Sequence, residues 1–84
     1  MKARLGNRLR MWRTRHDLTQ HELAGLAGVS RKTINTLERG VYNPSTLLSL
    51  TLARVLDARV EDLFYLDPGP SAEAADSPSR PEPA

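Results

Sequence analysis

The sequence predicts an all-α fold: a compact bundle of five helices over residues 1–66, followed by a disordered tail over residues 67–84. Three observations carry this expectation. Apolar residues recur at i, i+3 or i+4 and i+7, the spacing of one helix face, and no stretch reads as a credible strand. Start and stop signals, Thr19, Ser30 and Ser45 against Gly28 and Gly40, cut the chain into short segments. From Asp67 the chain reads DPGPSAEAADSPSRPEPA, with five of the six prolines and alanine as its only apolar residue, too little to offset the entropy of ordering.

The first helix is expected over roughly residues 5–16, where Leu5, Leu9 and Trp12 share one face and arginines occupy the others. Leu18 closes the connection to the second helix. That helix starts at Thr19, because TQHE has the form of a capping box: the Thr19 hydroxyl accepts from the Glu22 amide, and the Glu22 carboxylate reaches back to the Thr19 amide. Its buried face is Leu23, Ala24 and Ala27, and Gly28 is the left-handed residue that ends it. Ser30 caps a third helix over residues 31–39, with Ile34 and Leu37 inward and Gly40 as its stop. Ser45 caps a fourth that runs through Leu48, Leu52, Ala53 and Leu56. A short fifth, about residues 60–66, adds Leu63 and Phe64 to the same core.

Composition limits what these helices can build. The chain has 84 residues, no cysteine, 39% hydrophobic and 26% charged residues, which describes one small soluble domain with no disulfide framework. The missing cysteines fit a reducing cytoplasm, no apolar run reaches the roughly 18 residues of a membrane span, and the charged start MKARLGNRLR lacks a signal-peptide core. Charge is uneven along the chain. Residues 1–40 hold nine Lys/Arg against three acids, whereas residues 41–84 hold three against seven. A basic half beside an acidic half points to a polyanionic partner for the first, although a solvated charged surface would account for either half alone.

The second and third helices are separated only by Gly28-Val29-Ser30, a break too short for an ordinary loop. Ala24 must be small where the two helices cross, Gly28 must accept positive φ, Val29 plugs the angle between them, and Ile34 and Leu37 fill it. Together these positions define a helix-turn-helix.

On the segments LTQHELAGLAGVSRKTINTLERG, NPS and LARVLDARVEDLF, in that order and spacing, the chain resembles the lambda-repressor-like, Xre/Cro-type helix-turn-helix DNA-binding proteins over about residues 5–66. The resemblance implies a five-helix bundle whose third helix enters the major groove, with Gln20 on a phosphate and Arg31, Lys32 and Thr36 facing base edges. It also implies a buried ion pair between Arg13 and Glu38. The chain departs from the family pattern at Asp57, where Gly is common, at Arg59, where Ser or Thr caps the fifth helix, and at Ser49, where a large apolar residue is usual. Leu47 and Leu50 lie off the expected core stripe, which either shifts the core by one contact or exposes leucines for a partner subunit.

The residue types suit DNA on chemical grounds as well. Arg31 can donate twice to guanine, Lys32 reaches the same acceptors, a Thr36 methyl packs on the thymine methyl, and Asn35 pairs with adenine if its helical phase allows. Arg10 and Arg39, with Arg8 and Arg15, suit phosphates, as do Thr19, Ser30 and Asn43 near helix starts. Arg13, although expected in an ion pair, can also lean toward a phosphate.

Other chemistries lack support. His16 and His21 are five residues apart, off the i,i+4 spacing of a helical metal pair, so no metal and no cofactor is expected. Ser30 and Ser45 are explained as caps, and no carboxylate pair or phosphate loop suggests an enzyme. The leading function is therefore a sequence-specific transcriptional regulator, a repressor binding double-stranded DNA as a homodimer at a two-fold operator in the cytoplasm. The alternative is an antitoxin-like or adaptor module that grips another protein through its tail or fourth helix.

Overall fold

The computed structural model describes residues 4–67. The elements run β1 (Arg4–Asn7), α1 (Leu9–Arg15), α2 (Gln20–Ala27), α3 (Arg31–Glu38), α4 (Thr46–Val55), α5 (Val60–Leu63) and β2 (Phe64–Asp67). Five helices stand where the sequence places them, but both ends of the bundle differ from expectation. β1 and β2 form an antiparallel pair in the register Arg4↔Asp67, Leu5↔Leu66, Gly6↔Tyr65 and Asn7↔Phe64.

The expected first helix therefore loses its first turn, and the fifth loses its last. Gly6 is a poor helix former, and the Asn7 side chain accepts from the Leu9 amide at 3.1 Å, so the helix begins only beyond it. At the other end Phe64 turns to φ −130°, ψ 142°, extended geometry that suits the aromatic pair Phe64-Tyr65. Asp67, assigned to the tail from sequence, closes the second strand. The rest of the expected tail, residues 68–84, lies outside the described residues.

The core matches its expected membership closely. Leu9, Leu23, Ala24, Ile34, Leu37, Leu48, Leu52, Ala53, Leu56, Leu63 and Phe64 are buried, and Leu5, Trp12, Leu18, Ala27 and Val29 pack on their edge. Trp12 is covered on one side by the Arg15 guanidinium, 4.7 Å from its ring. Leu47 and Leu50 stay outside, 76% and 55% exposed, so the core has not shifted to include them.

The turn signals operate as read. Thr19 and Glu22 form a reciprocal capping box at 3.0 and 2.9 Å, Ser30 accepts from the Thr33 amide, and Ser45 accepts from the Leu48 amide. Gly28 and Gly40 take φ values of 75° and 76°. A Cβ at Gly28 would meet no neighbour, so the left-handed backbone, not crowding, selects glycine there. At two of the three departures from the family pattern, Asp57 accepts φ 53°, and Asp62 caps α5 by accepting from the Arg59 amide at 2.9 Å.

Candidate nucleic-acid interface

At about 100° per residue, Arg31, Asn35, Lys32 and Thr36 fall within an arc of about 140° on α3, while Ile34 and Leu37 lie on the opposite side. Burial agrees with that geometry: Ile34 and Leu37 are buried and Arg31 and Lys32 are exposed, with Asn35 and Thr36 between. The short left-handed turn at Gly28 fixes this helix against α2. The four candidate base readers thus share one surface.

Thr36 presents carbon to that surface. Its hydroxyl donates back to the carbonyls of Lys32 and Thr33, each at 3.0 Å, so it offers a partner its methyl and an oxygen that can only accept. Ser30 and Thr33 link their hydroxyls at 3.0 Å while Ser30 caps the helix. Arg31 and Lys32 sit at the positive end of the helix dipole, a mildly unfavourable place that a polyanion would relieve.

A polar chain runs beneath this face. Glu38 accepts from Arg13 through Nε at 2.6 Å and Nη2 at 3.2 Å, and from Gln20 Nε2 at 3.1 Å. Gln20 Oε1 accepts in turn from Asn35 Nδ2 at 3.5 Å. The expected Arg13–Glu38 pair is present, with side chains 12% and 5% exposed. Arg13 also donates Nη1 to the Leu18 carbonyl at 2.8 Å. Each of its three nitrogens thus makes one bond inside the domain, leaving one N–H on each Nη for any phosphate.

The remaining phosphate candidates are distributed over three elements. Thr19 and Gln20 stand at the start of α2, and Gln20 touches α3 through Asn35. Arg10 is exposed on α1. Arg39 and Asn43 line a hollow after α3 together with Arg4, Leu5 and Asp67. Arg8 lies 4.3 Å over the Tyr65 ring.

Two residues were not singled out from sequence. Asn7 donates Nδ2 to the Leu37 carbonyl at the end of α3, 2.9 Å away, and so ties the sheet to the outward-facing helix. Arg4 enters the Arg39–Asn43 hollow only because β1 pairs with β2. Asn before the first helical residue is itself a cap signal and could have revealed the first. Nothing local points to the second.

A bundle whose third helix turns a polar, basic face outward from a helix-turn-helix is a DNA-binding regulator in architecture. The profile of the helix-turn-helix family matches residues 9–63, and the chain belongs to that family, in its lambda-repressor-like, Xre-type form. It is 52% identical over 60 residues to an HTH-type transcriptional regulator of Archaeoglobus fulgidus, covering 71% of this chain and 86% of that one. An HTH-type transcriptional regulator of Bacillus subtilis is 34% identical over 61 residues, covering 73% of this chain and 92% of its own length. Among solved structures, the restriction-modification controller protein C.AhdI of Aeromonas hydrophila superposes with a TM-score of 0.63 at 40% identity, covering 66% of this chain and 83% of its own. The clp gene regulator ClgR of Corynebacterium glutamicum gives 0.61 at 35% identity, covering 64% and 57%. No helix among the described residues is long and apolar enough to cross a membrane.

Proposed function

We propose that this chain is a transcriptional repressor that reads a two-fold operator through the major groove as a homodimer in the cytoplasm. The observation that carries the reading is the outward arc of α3, where Arg31, Lys32, Asn35 and Thr36 stand together opposite the buried Ile34 and Leu37. Arginine and lysine match guanine acceptors, asparagine matches adenine and a threonine methyl matches thymine. Gln20, Thr19 and Ser30 would hold phosphates at the starts of α2 and α3, with Arg10, Arg39 and Asn43 on the flanks. The relatives named as transcriptional regulators support the same direction.

One short helix contacts too few bases to single out a genomic site, so two copies are required. The exposed Leu47 and Leu50 on α4 favour a protein contact on that helix. We assign that contact to a second copy, with an unlike protein, as an antitoxin-like or adaptor module would hold, as the competing outcome. Selection of bound duplexes from a random library, followed by footprinting, tests the function. Two inverted half-sites are expected; absence of any selected sequence at low and moderate salt would remove the DNA reading. A reporter placed behind the selected sequence should fall on expression of the chain, and a rise would make it an activator.

A further inference from the structure

Gln20 stands between the start of α2 and the outward face of α3, and its carboxamide is held at both ends. Nε2 donates to Glu38 Oε1 at 3.1 Å, and Oε1 accepts from Asn35 Nδ2 at 3.5 Å. The polarity of this chain is fixed from its inner end. Arg13 can only donate, so Glu38, 5% exposed and held by two guanidinium nitrogens, is a carboxylate that only accepts. The end of Gln20 beside Glu38 must then be its NH2, and the end beside Asn35 its carbonyl. A carbonyl only accepts, so Asn35 must turn its NH2 toward Gln20.

Asn35 therefore spends one N–H inward and keeps Oδ1 together with its second N–H. That adjacent acceptor and donor match N6 and N7 of adenine on the major-groove edge. An unheld asparagine could present its amide either way round and would lose side-chain entropy on binding.

We infer that Gln20 is a positioning residue for base reading: through Arg13, Glu38 and Gln20 the fold sets the polarity of the Asn35 amide, so Gln20 governs preference for one adenine as well as gripping a phosphate. The inference rests on the proposed DNA reading. It separates two roles for Gln20 that affinity alone cannot distinguish, because its second Nε2 hydrogen remains available to a phosphate while Oε1 works toward Asn35.

The test is selection from a random duplex library with the full chain and its variants Asn35→Ala, Gln20→Ala, Gln20→Met and Asn35→Ala/Gln20→Ala, each checked by circular dichroism and thermal melting. Gln20→Met keeps the length and apolar stem of the side chain while removing both amide bonds, so it serves if Gln20→Ala melts early. Asn35→Ala should abolish preference for adenine at one position in each half-site, a loss of about tenfold. The Gln20 variants should relax the same position by most of that factor, and the double variant should add nothing there. Positions that respond to Thr36→Ala should keep their preference in every Gln20 variant. If the Gln20 variants weaken all duplexes alike and leave the adenine preference intact, Gln20 is a phosphate ligand only and the inference falls. If the unaltered chain selects no sequence, the DNA reading falls and takes the inference with it.

Discussion

Asn7 and Leu37 join the edge of the sheet to the end of the outward-facing helix: Asn7 Nδ2 donates to the Leu37 carbonyl at 2.9 Å. The same side chain accepts from the Leu9 amide at 3.1 Å, so one residue caps the start of α1 and the end of α3. Asn7→Ala should cost about 1–2 kcal/mol, a cap plus one of the two bonds to a helix carbonyl that then keeps only the Gly40 amide at 3.0 Å. Asn7→Asp keeps the acceptor for Leu9 but sets an oxygen against the Leu37 carbonyl, so it should rescue only the capping part. Denaturant midpoints of the two variants decide this; a fully wild-type Asn7→Asp would show that the contact with α3 contributes nothing.

The ion pair beneath α3 leads to a larger expected effect. With Arg13 and Glu38 only 12% and 5% exposed, Glu38→Ala leaves a guanidinium inside the domain without its counter-charge. The loss should be roughly 3–5 kcal/mol, a large part of the stability of a small domain. Arg13→Met/Glu38→Leu removes both charges and should recover much of it, since a pair replaced by apolar groups of similar size is often near neutral. Unfolding in urea would show the order wild type, double variant, single variant. A single variant as stable as wild type would mean that the pair is solvated.

The helices and their caps were legible because their signals are local. Thr19 with Glu22, Ser30 before Arg31 and Gly28 with its φ of 75° each act within a few residues, and the structure uses all three. The sheet was not legible. Leu5, Leu9 and Trp12 satisfy a helical spacing even though Leu5 is in a strand, and the pairing of Leu5 with Leu66 joins two segments on either side of the five helices, far apart in sequence. The same limit applies to the interface: the outward arc of α3 follows from helical phase, but the link from Gln20 to Asn35 crosses two helices and has no local signature.

Gly6 illustrates what the missed sheet adds. It pairs with Tyr65, and a Cβ on Gly6 would lie 2.5 Å from that ring, which also carries the Arg8 guanidinium 4.3 Å above it. Gly6→Ala should therefore push the ring aside and cost about 0.5–1 kcal/mol in place of the gain expected from replacing a strand glycine. In a Tyr65→Ala background the same change should become neutral or favourable. Additive effects in thermal melts of the four proteins would show that the ring does not rest on Gly6.

Under the proposed function, base reading and phosphate contact on α3 can be told apart. Arg31 is exposed and can donate twice to guanine, whereas Thr36 has turned its hydroxyl inward and offers a methyl. Arg31→Ala should lose about 1–3 kcal/mol against a guanine-containing site and far less against a site lacking it. Thr36→Val, which keeps the methyl, should leave preference almost unchanged, and Thr36→Ala should relax it at a thymine. Equilibrium titration on a panel of single-base variants at fixed salt checks all three. Equal weakening of every duplex by Arg31→Ala would reassign Arg31 to a phosphate.

Assembly gives the last expectation. Two copies bound to one face of a duplex would set their recognition helices about 34 Å apart, one turn of DNA, so the selected half-sites should be centred about 10 base pairs apart. Leu50, 55% exposed on α4, lines an apolar notch with Pro44, Val60 and Phe64, where a charge would be tolerated in a monomer but not beneath a second copy. Leu50→Glu should leave the thermal melt of a dilute sample almost unchanged. It should also shift sedimentation toward monomer and weaken binding to a two-half-site duplex far more than to a single half-site. Equal weakening on both duplexes, or an unchanged sedimentation profile, would move the contact between copies away from α4.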